Sequence, residues 1–166
     1  MGGYGSGRKF FASPKTTVED SLTLSAYYMQ KYGLFNPCRS GALRWKRGDR
    51  VTSSIGYTMD GNGEILTLDY TKTVNGQKED IKTHIQIGKG ATNFGGHRYY
   101  FLCPNCRRRY SKLYLPPGAK IFACRKCYDL TYTSCQESHK FDRLYGHIGK
   151  NLGISPAIVK RALMER

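Results

Sequence analysis

Carboxylates are scarce in this chain. Twelve Asp and Glu stand against 27 Lys and Arg over 166 residues, giving a formal net charge of +15 and a pI near 9.7. The shortage is sharpest in "FLCPNCRRRYSKLYLPPGAKIFACRKC", Phe101 to Cys127, which holds seven basic side chains and no acid. Such a balance points to a polyanionic partner, nucleic acid first and an acidic protein or anionic membrane after it. A soluble basic protein with no such partner is the plainer alternative.

Long apolar runs are also missing. Nothing approaches the roughly 20 uninterrupted apolar residues of a membrane-spanning helix. The opening "MGGYGSGRKFFASPK" has no apolar stretch of the secretory type. A cytoplasmic location with no membrane partner is the expectation, so the cysteines meet a reducing compartment. There, paired CxxC units read as metal sites, not disulfides.

Catalytic signatures are absent too: no Walker A loop, no HExxH, no GxSxG and no thiol beside a histidine in sequence. Asp69, Glu79, Asp80 and His84 are scattered candidates for a nuclease, but they read better as the solvent face of strands. The expectation is a protein without catalytic or small-molecule cofactor residues and with no small-molecule substrate.

What is present suffices for a folded core: 39% apolar and 13% aromatic residues, in a length that suits one domain or two small modules. The charge falls in blocks. Residues 1–50 carry nine basic side chains against three acids, and residues 51–102 carry five against five. Residues 103–137 carry seven against two, and residues 138–166 six against two. A neutral scaffold presenting basic attachments is the implied layout.

The periodicity gives an α+β chain. Residues 1–16 form a basic, glycine-rich arm. In residues 17–97, Ser25 caps a short helix through Tyr28, Met29 and Tyr32 that Gly33 stops. An antiparallel meander of three or four strands follows, with Ile55, Tyr57 and Met59, then Leu66, Leu68 and Tyr70, then Ile81, Ile85 and Ile87 turned to one buried face. "MDGNGE" and "TVNGQKE" supply Asn-Gly hairpin turns. Asp60, Asn62 and Glu64 mimic the start of a calcium loop, but the remaining ligand spacing is missing and turn chemistry explains them. "HRYYFL" reads as a strand after Gly95-Gly96, and "YDLTYTS" as another. Residues 136–166 return to helical spacing through Phe141, Leu144, Tyr145, Ile148 and Leu152. Gly153 is a stop, and Ser155-Pro156 a restart.

The strongest motif lies in residues 98–135. Cys103 and Cys106 are two residues apart, as are Cys124 and Cys127, with seventeen residues between the pairs. That spacing suits four thiolates on one structural Zn²⁺ in a zinc ribbon, inserted in or appended to the meander, with short β runs either side of "PPG". Four thiolates leave no open coordination position; bound iron and a redox dithiol are the lesser alternatives. Cys38 and Cys135 read as buried free thiols. His97 reads as a solvent-facing strand residue.

Arg107, Arg108, Arg109 and Lys112 follow the first pair, and Arg125 and Lys126 lie within the second. Some of this charge neutralises a zinc–thiolate centre of net charge about −2. The rest, interleaved with Tyr110, Tyr114 and Tyr128, fits phosphate contacts and base stacking. Arg8 and Lys9 of the arm, and Lys160 and Arg161 of the terminal helix, complete the candidate nucleic-acid contacts. The C-terminal segment has the cadence of a helix-turn-helix. Its second helix, however, opens on Pro156, Ala157 and Ile158, poor readers of bases, which favours a packing hairpin.

With these pieces assembled, the chain resembles small zinc-ribbon proteins of bacterial mobile elements and prophages. The resemblance is carried by "GGYGSGR", "VEDSLTL", "FGGHRYYFLCPNC", "CRKCYDLTYTS" and "DRLYGHIGKNLG", spread over most of the chain. It implies the four-cysteine ribbon and a mobile-element setting, and brings no mechanism with it. Proteins of that setting regulate transcription, handle DNA or disarm host defence complexes. Two functions therefore stand: a zinc-ribbon protein binding DNA or RNA, or an adaptor or inhibitor that docks on a host nucleic-acid-handling or defence complex.

Overall fold

The computed structural model describes residues 15–74, 77–93, 95–137 and 142–164. The glycine-rich arm with Arg8 and Lys9, the Asn75-Gly76 pair, His139 and Phe141 lie outside them. The chain divides into two compact units, Met1–Leu130 and Thr131–Arg166. The fold is α+β, with antiparallel strands predominating and a few short helices.

In the first unit, strand β1 (Leu22–Ser25) runs straight into helix α1 (Ala26–Lys31). Ser25 is extended at φ −115° and its hydroxyl accepts from the Tyr28 N–H at 3.4 Å, the expected cap. Past the helix, Gly33 sits at φ +63°, a conformation that costs glycine nothing and ends the turn.

Strands β2 (Ser40–Arg47), β3 (Arg50–Met59), β4 (Ile65–Val74), β5 (Gln77–Ala91), β6 (His97–Leu102) and β7 (Arg109–Tyr110) form one six-stranded antiparallel sheet in chain order. The period-2 pattern explains its register. Ile55, Tyr57 and Met59 on β3, Leu66, Leu68 and Tyr70 on β4, and Ile81 and Ile85 on β5 are all buried, while Ile87 is half-buried. Each such side chain withdrawn from water contributes about 1.5–3 kcal/mol before the entropy of ordering is counted. Between β3 and β4, Asp60 Oδ1 accepts from the N–H groups of Glu64 at 2.7 Å and Ile65 at 3.0 Å. The Ile65 N–H, helped by those of Glu64 and Gly63, holds the Asp60 carboxyl below its usual range. That carboxylate is spent on the turn, as turn chemistry requires. Val74 pairs directly with Gln77 across the next hairpin.

Strand β8 (Lys112–Leu115) pairs with β1, not with the sheet, placing Leu22 opposite Leu115 and Ser25 opposite Lys112. The "LTLS" strand was not anticipated from the sequence. Of the two β runs expected around "PPG", the first is β8 and the second shrinks to one bridged residue, Ala123 opposite Tyr114. "YDLTYTS" is not a strand. Asp129 takes a left-handed φ of 48°, the Leu130 N–H donates to the Arg125 carbonyl at 3.0 Å, and helix α2 (Thr133–Glu137) begins.

One core serves the first unit. Phe101, Phe122, Leu113, Cys103 and Cys124 belong to the same buried cluster as Leu66, Leu68 and Ile85. In the second unit, helix α3 (Asp142–Leu152) turns at Gly153 into α4 (Pro156–Met164), and Tyr145 and Val159 are buried apolar residues among those described.

Candidate metal centre and basic surface

Two tight turns bring the four cysteines together. In the first, the Arg107 N–H donates to the Cys103 carbonyl at 2.8 Å and the Cys103 N–H to the Arg108 carbonyl at 3.0 Å. Arg107 pays for that reversal with φ +56°, a region strained for any residue with a Cβ. In the second, the Cys127 and Tyr128 N–H groups donate to the Cys124 carbonyl at 3.1 and 3.3 Å.

The thiols converge. Cys103 Sγ lies 3.9 Å from Cys127 Sγ, and Cys106 Sγ lies 3.8 Å from Cys124 Sγ. All four sulfurs fall within 4.8 Å of one another, so the group can hold a metal ion. A disulfide needs about 2.05 Å, so these sulfurs are not bonded in pairs. Two amides aim at them: Cys124 N–H to Cys103 Sγ at 3.3 Å and Cys127 N–H to Cys124 Sγ at 3.4 Å. Cys103 and Cys124 are fully buried and the other two half-buried.

A tyrosine that the sequence offered as a stacking surface serves the sulfurs instead. The Tyr110 hydroxyl lies beside Cys124 and Cys106, and those thiols push its own ionisation well up, Cys124 most of all. At Cys124 burial raises the thiol, but the Tyr110 hydroxyl, the Cys127 N–H and the neighbouring thiols outweigh it and set it at about 7. At Cys127 burial and the other three thiols act together and push it to about 12. Tyr114 is buried, and the Tyr128 hydroxyl donates to the Ile121 carbonyl at 2.5 Å. None of the three is the free aromatic surface expected of them. The one signal for Tyr110 was its place four residues past Cys106, opposite Phe101 in β6.

The cysteine turns are anchored on the sheet. The Tyr70 hydroxyl donates to the Lys120 carbonyl at 2.5 Å, the Lys72 ammonium donates to the Ala119 carbonyl, and Lys120 pairs with Glu79 at 2.8 Å. Phe122 lies between Trp45 and Tyr70, stacked on the first and edge-on to the second. Lys15 reaches Asp129 of the second turn at 2.5 Å.

Arg107, Arg108, Arg109 and Lys126 are exposed and Arg125 is half-buried, so the convergence of sulfurs draws the two charged turns to one centre. Lys112 is exposed on β8, opposite Ser25. Lys160, half-buried, and Arg161, exposed, belong to the second unit. Cys38 and Cys135 are not buried as expected: both are exposed and neither is in a disulfide. His97 is exposed on β6. No helix among the described residues is long and apolar enough to cross a membrane. Comparison with protein-family profiles, curated proteins and solved structures finds no match.

Proposed function

We propose that this is a zinc-ribbon protein that binds nucleic acid. One Zn²⁺ is held by Cys103, Cys106, Cys124 and Cys127, and phosphates are gripped by the basic side chains of the two cysteine turns. The zinc reading rests on sulfur geometry. A tetrahedral ion with Zn–S bonds of about 2.3 Å has sulfur–sulfur edges of about 3.8 Å, and the two closest pairs here are 3.8 and 3.9 Å apart. With four thiolates and no open position, the ion is structural and carries no catalysis itself; the reading is of a binding protein, not an enzyme.

The observation that carries the nucleic-acid reading is the local imbalance of charge. Four of the five basic residues in and beside the cysteine turns are arginines, four of the five are exposed, and no acid lies between Phe101 and Cys127. Neutralising the metal centre uses about two positive charges, which leaves a surplus facing solvent. Lys112 extends that surface, while Arg8, Lys9, Lys160 and Arg161 are further contacts of the same kind. A cytoplasmic, mobile-element protein fits this reading.

The test is binding of the metal-loaded protein to DNA and RNA over a salt series. Affinity should fall steeply, because each duplex phosphate neutralised lowers log K by about 0.9 for every tenfold rise in salt. The triple variant Arg107→Glu, Arg108→Glu, Arg109→Glu should flatten that slope; an unchanged slope removes the cysteine turns from the interface.

A second reading has its own observation. Leu152, Ile158 and Leu163 of the helical hairpin are 65%, 56% and 58% exposed, apolar surface of a kind that favours a protein partner. An adaptor on a host nucleic-acid-handling complex would be retained in a pull-down after nuclease treatment, whereas partners bridged by nucleic acid would be lost.

A further inference from the structure

Away from the metal centre, two tyrosines pack ring against ring and still keep half of their surface in solvent. Tyr28 and Tyr32, one helical turn apart on α1, are each 52% exposed, with ring centroids 4.5 Å apart and planes tilted by 48°. They rim a cleft of about 550 Å³ between the β1–α1 segment and strand β2. Its floor is apolar and fixed: Leu24, Met29 and Leu43 are buried. On one side Trp45 is held by its indole N–H, which donates to the Thr23 carbonyl at 2.9 Å. The volume lies within the range of about 300–1,000 Å³ usual for small-ligand pockets.

The charge of the cleft has one sign. Its only charged lining residues are Arg39 and Arg44, and neither has a carboxylate partner among the described residues. A third cation, Lys31, stands 5.8 Å from the Tyr32 ring centroid. An occupant should therefore combine a flat, uncharged face for the rings with an anionic group for the arginines. An unpaired nucleotide has both. A duplex does not present its base faces, whereas single strands are bound by stacking on aromatic side chains beside a basic track.

We propose that this cleft takes a base and its phosphate from a single-stranded nucleic acid. The base stacks on Tyr28 and Tyr32, and Arg39 and Arg44 meet the phosphate. The inference rests on the nucleic-acid reading above and adds to it a site outside the cysteine turns and a preference for unpaired strands.

The experiment is photocrosslinking of metal-loaded protein to an oligonucleotide carrying 5-iodouracil, with the modified peptides mapped by mass spectrometry, alongside binding of oligothymidylate and of a duplex. Crosslinks at Tyr28 or Tyr32 are expected. Tyr28→Ala with Tyr32→Ala should weaken single-strand binding about tenfold per lost stack, with duplex binding unchanged, and the Phe replacements should restore it. Crosslinks confined to the cysteine turns, or single-strand affinity unmoved by the alanines, overturn the cleft while leaving the nucleic-acid reading in place. Protein that binds neither probe, or a cleft filled by a peptide that blocks no oligonucleotide, overturns it as well; only the absence of all nucleic-acid binding also removes the reading beneath.

Discussion

The indole of Trp45 lies against the ring of Phe122, with centroids 6.2 Å apart and planes 23° from parallel. Trp45 belongs to β2, the edge strand that opens the six-stranded sheet, and is the chain's single tryptophan. Phe122 is fully buried and stands two residues before Cys124. The relationship ties the sheet core to the metal centre through one contact, and it places an intrinsic fluorophore on that contact.

Metal removal should therefore be visible at Trp45. Without an ion, the four sulfurs lose the centre that draws the two turns together, and metal binding in such sites is itself folding energy. Chelation should loosen the segment around Cys124, release Phe122 from the indole and shift the tryptophan emission to the red. The meander has its own buried set in Ile55, Leu66, Leu68 and Ile85, so much of the far-ultraviolet β signal should survive. Emission identical with and without chelator would mean that the sulfurs do not support Phe122.

The Tyr110 hydroxyl makes a pH prediction. In the metal-free protein Cys124 sits at about 7 against an ordinary 9.0. A depressed thiol of this kind contributes stability above pH 9 that is lost as the pH falls through 7. Cys127, pushed to about 12, works the other way: its contribution is present below 9 and lost as the pH rises through 12. Thiolate absorbance of the metal-free protein should show a first step near pH 7, absent from Cys124→Ser. Tyr110→Phe should move that step toward 9 and delay metal uptake to higher pH. A step that stays near 7 in Tyr110→Phe would show that the amide and thiol contacts suffice.

Much of this arrangement was legible because its causes are local. The alternation of Ile55, Tyr57 and Met59, the Ser25 cap and the stops at Gly33 and Gly153 depend on neighbours within a few residues. The two CxxC pairs announced a common centre through spacing alone. What escaped was long-range or conformational. Strand β1 is four residues long and finds its partner about ninety residues away, so no local period reveals it. Phe122 falls within the residues 98–135 read as a ribbon, yet it sits in the same core as the sheet. Asp129 in the left-handed region converts a strand-like run into a turn, and side-chain type alone does not announce that. Tyr110 and Tyr28 are the same residue in composition; only packing shows that one serves sulfur and the other faces solvent.

Arg107 combines two effects that substitution can separate. At φ +56° a residue with a Cβ costs about 1–2 kcal/mol relative to the right-handed region, and glycine is exempt. Glycine gives back part of that through the greater freedom of its unfolded chain. Arg107→Gly should be more stable than Arg107→Ala by up to about 1 kcal/mol in denaturant melts of the metal-loaded protein. Both lose the same charge, so their salt dependence of nucleic-acid binding should fall equally. Equal stability of the two variants would mean that the turn relaxes out of the left-handed region at no cost.

Two glycines of α3 should respond in opposite directions. Exchanging Gly for Ala in an exposed helix is ordinarily worth about 1 kcal/mol in favour of the helix. At Gly146 nothing among the described residues lies within 4 Å of an added Cβ, so Gly146→Ala should stabilise the hairpin. At Gly149 the same atom would stand 2.7 Å from the Ile154 carbonyl oxygen and 3.3 Å from the Pro156 nitrogen. The clash is with backbone, and that backbone is the turn itself: the Ile154 N–H donates to the Gly149 carbonyl at 3.0 Å. Relief requires moving the start of α4, at a cost of about 1–3 kcal/mol for overpacking, which outweighs the gain in helix propensity. Hydrogen exchange of the α3 and α4 amides should accelerate in Gly149→Ala and slow in Gly146→Ala. Trp45 emission should not change in either, since the hairpin is a separate compact unit. Slower exchange in Gly149→Ala would show that the turn between the helices has a second conformation with room for a side chain.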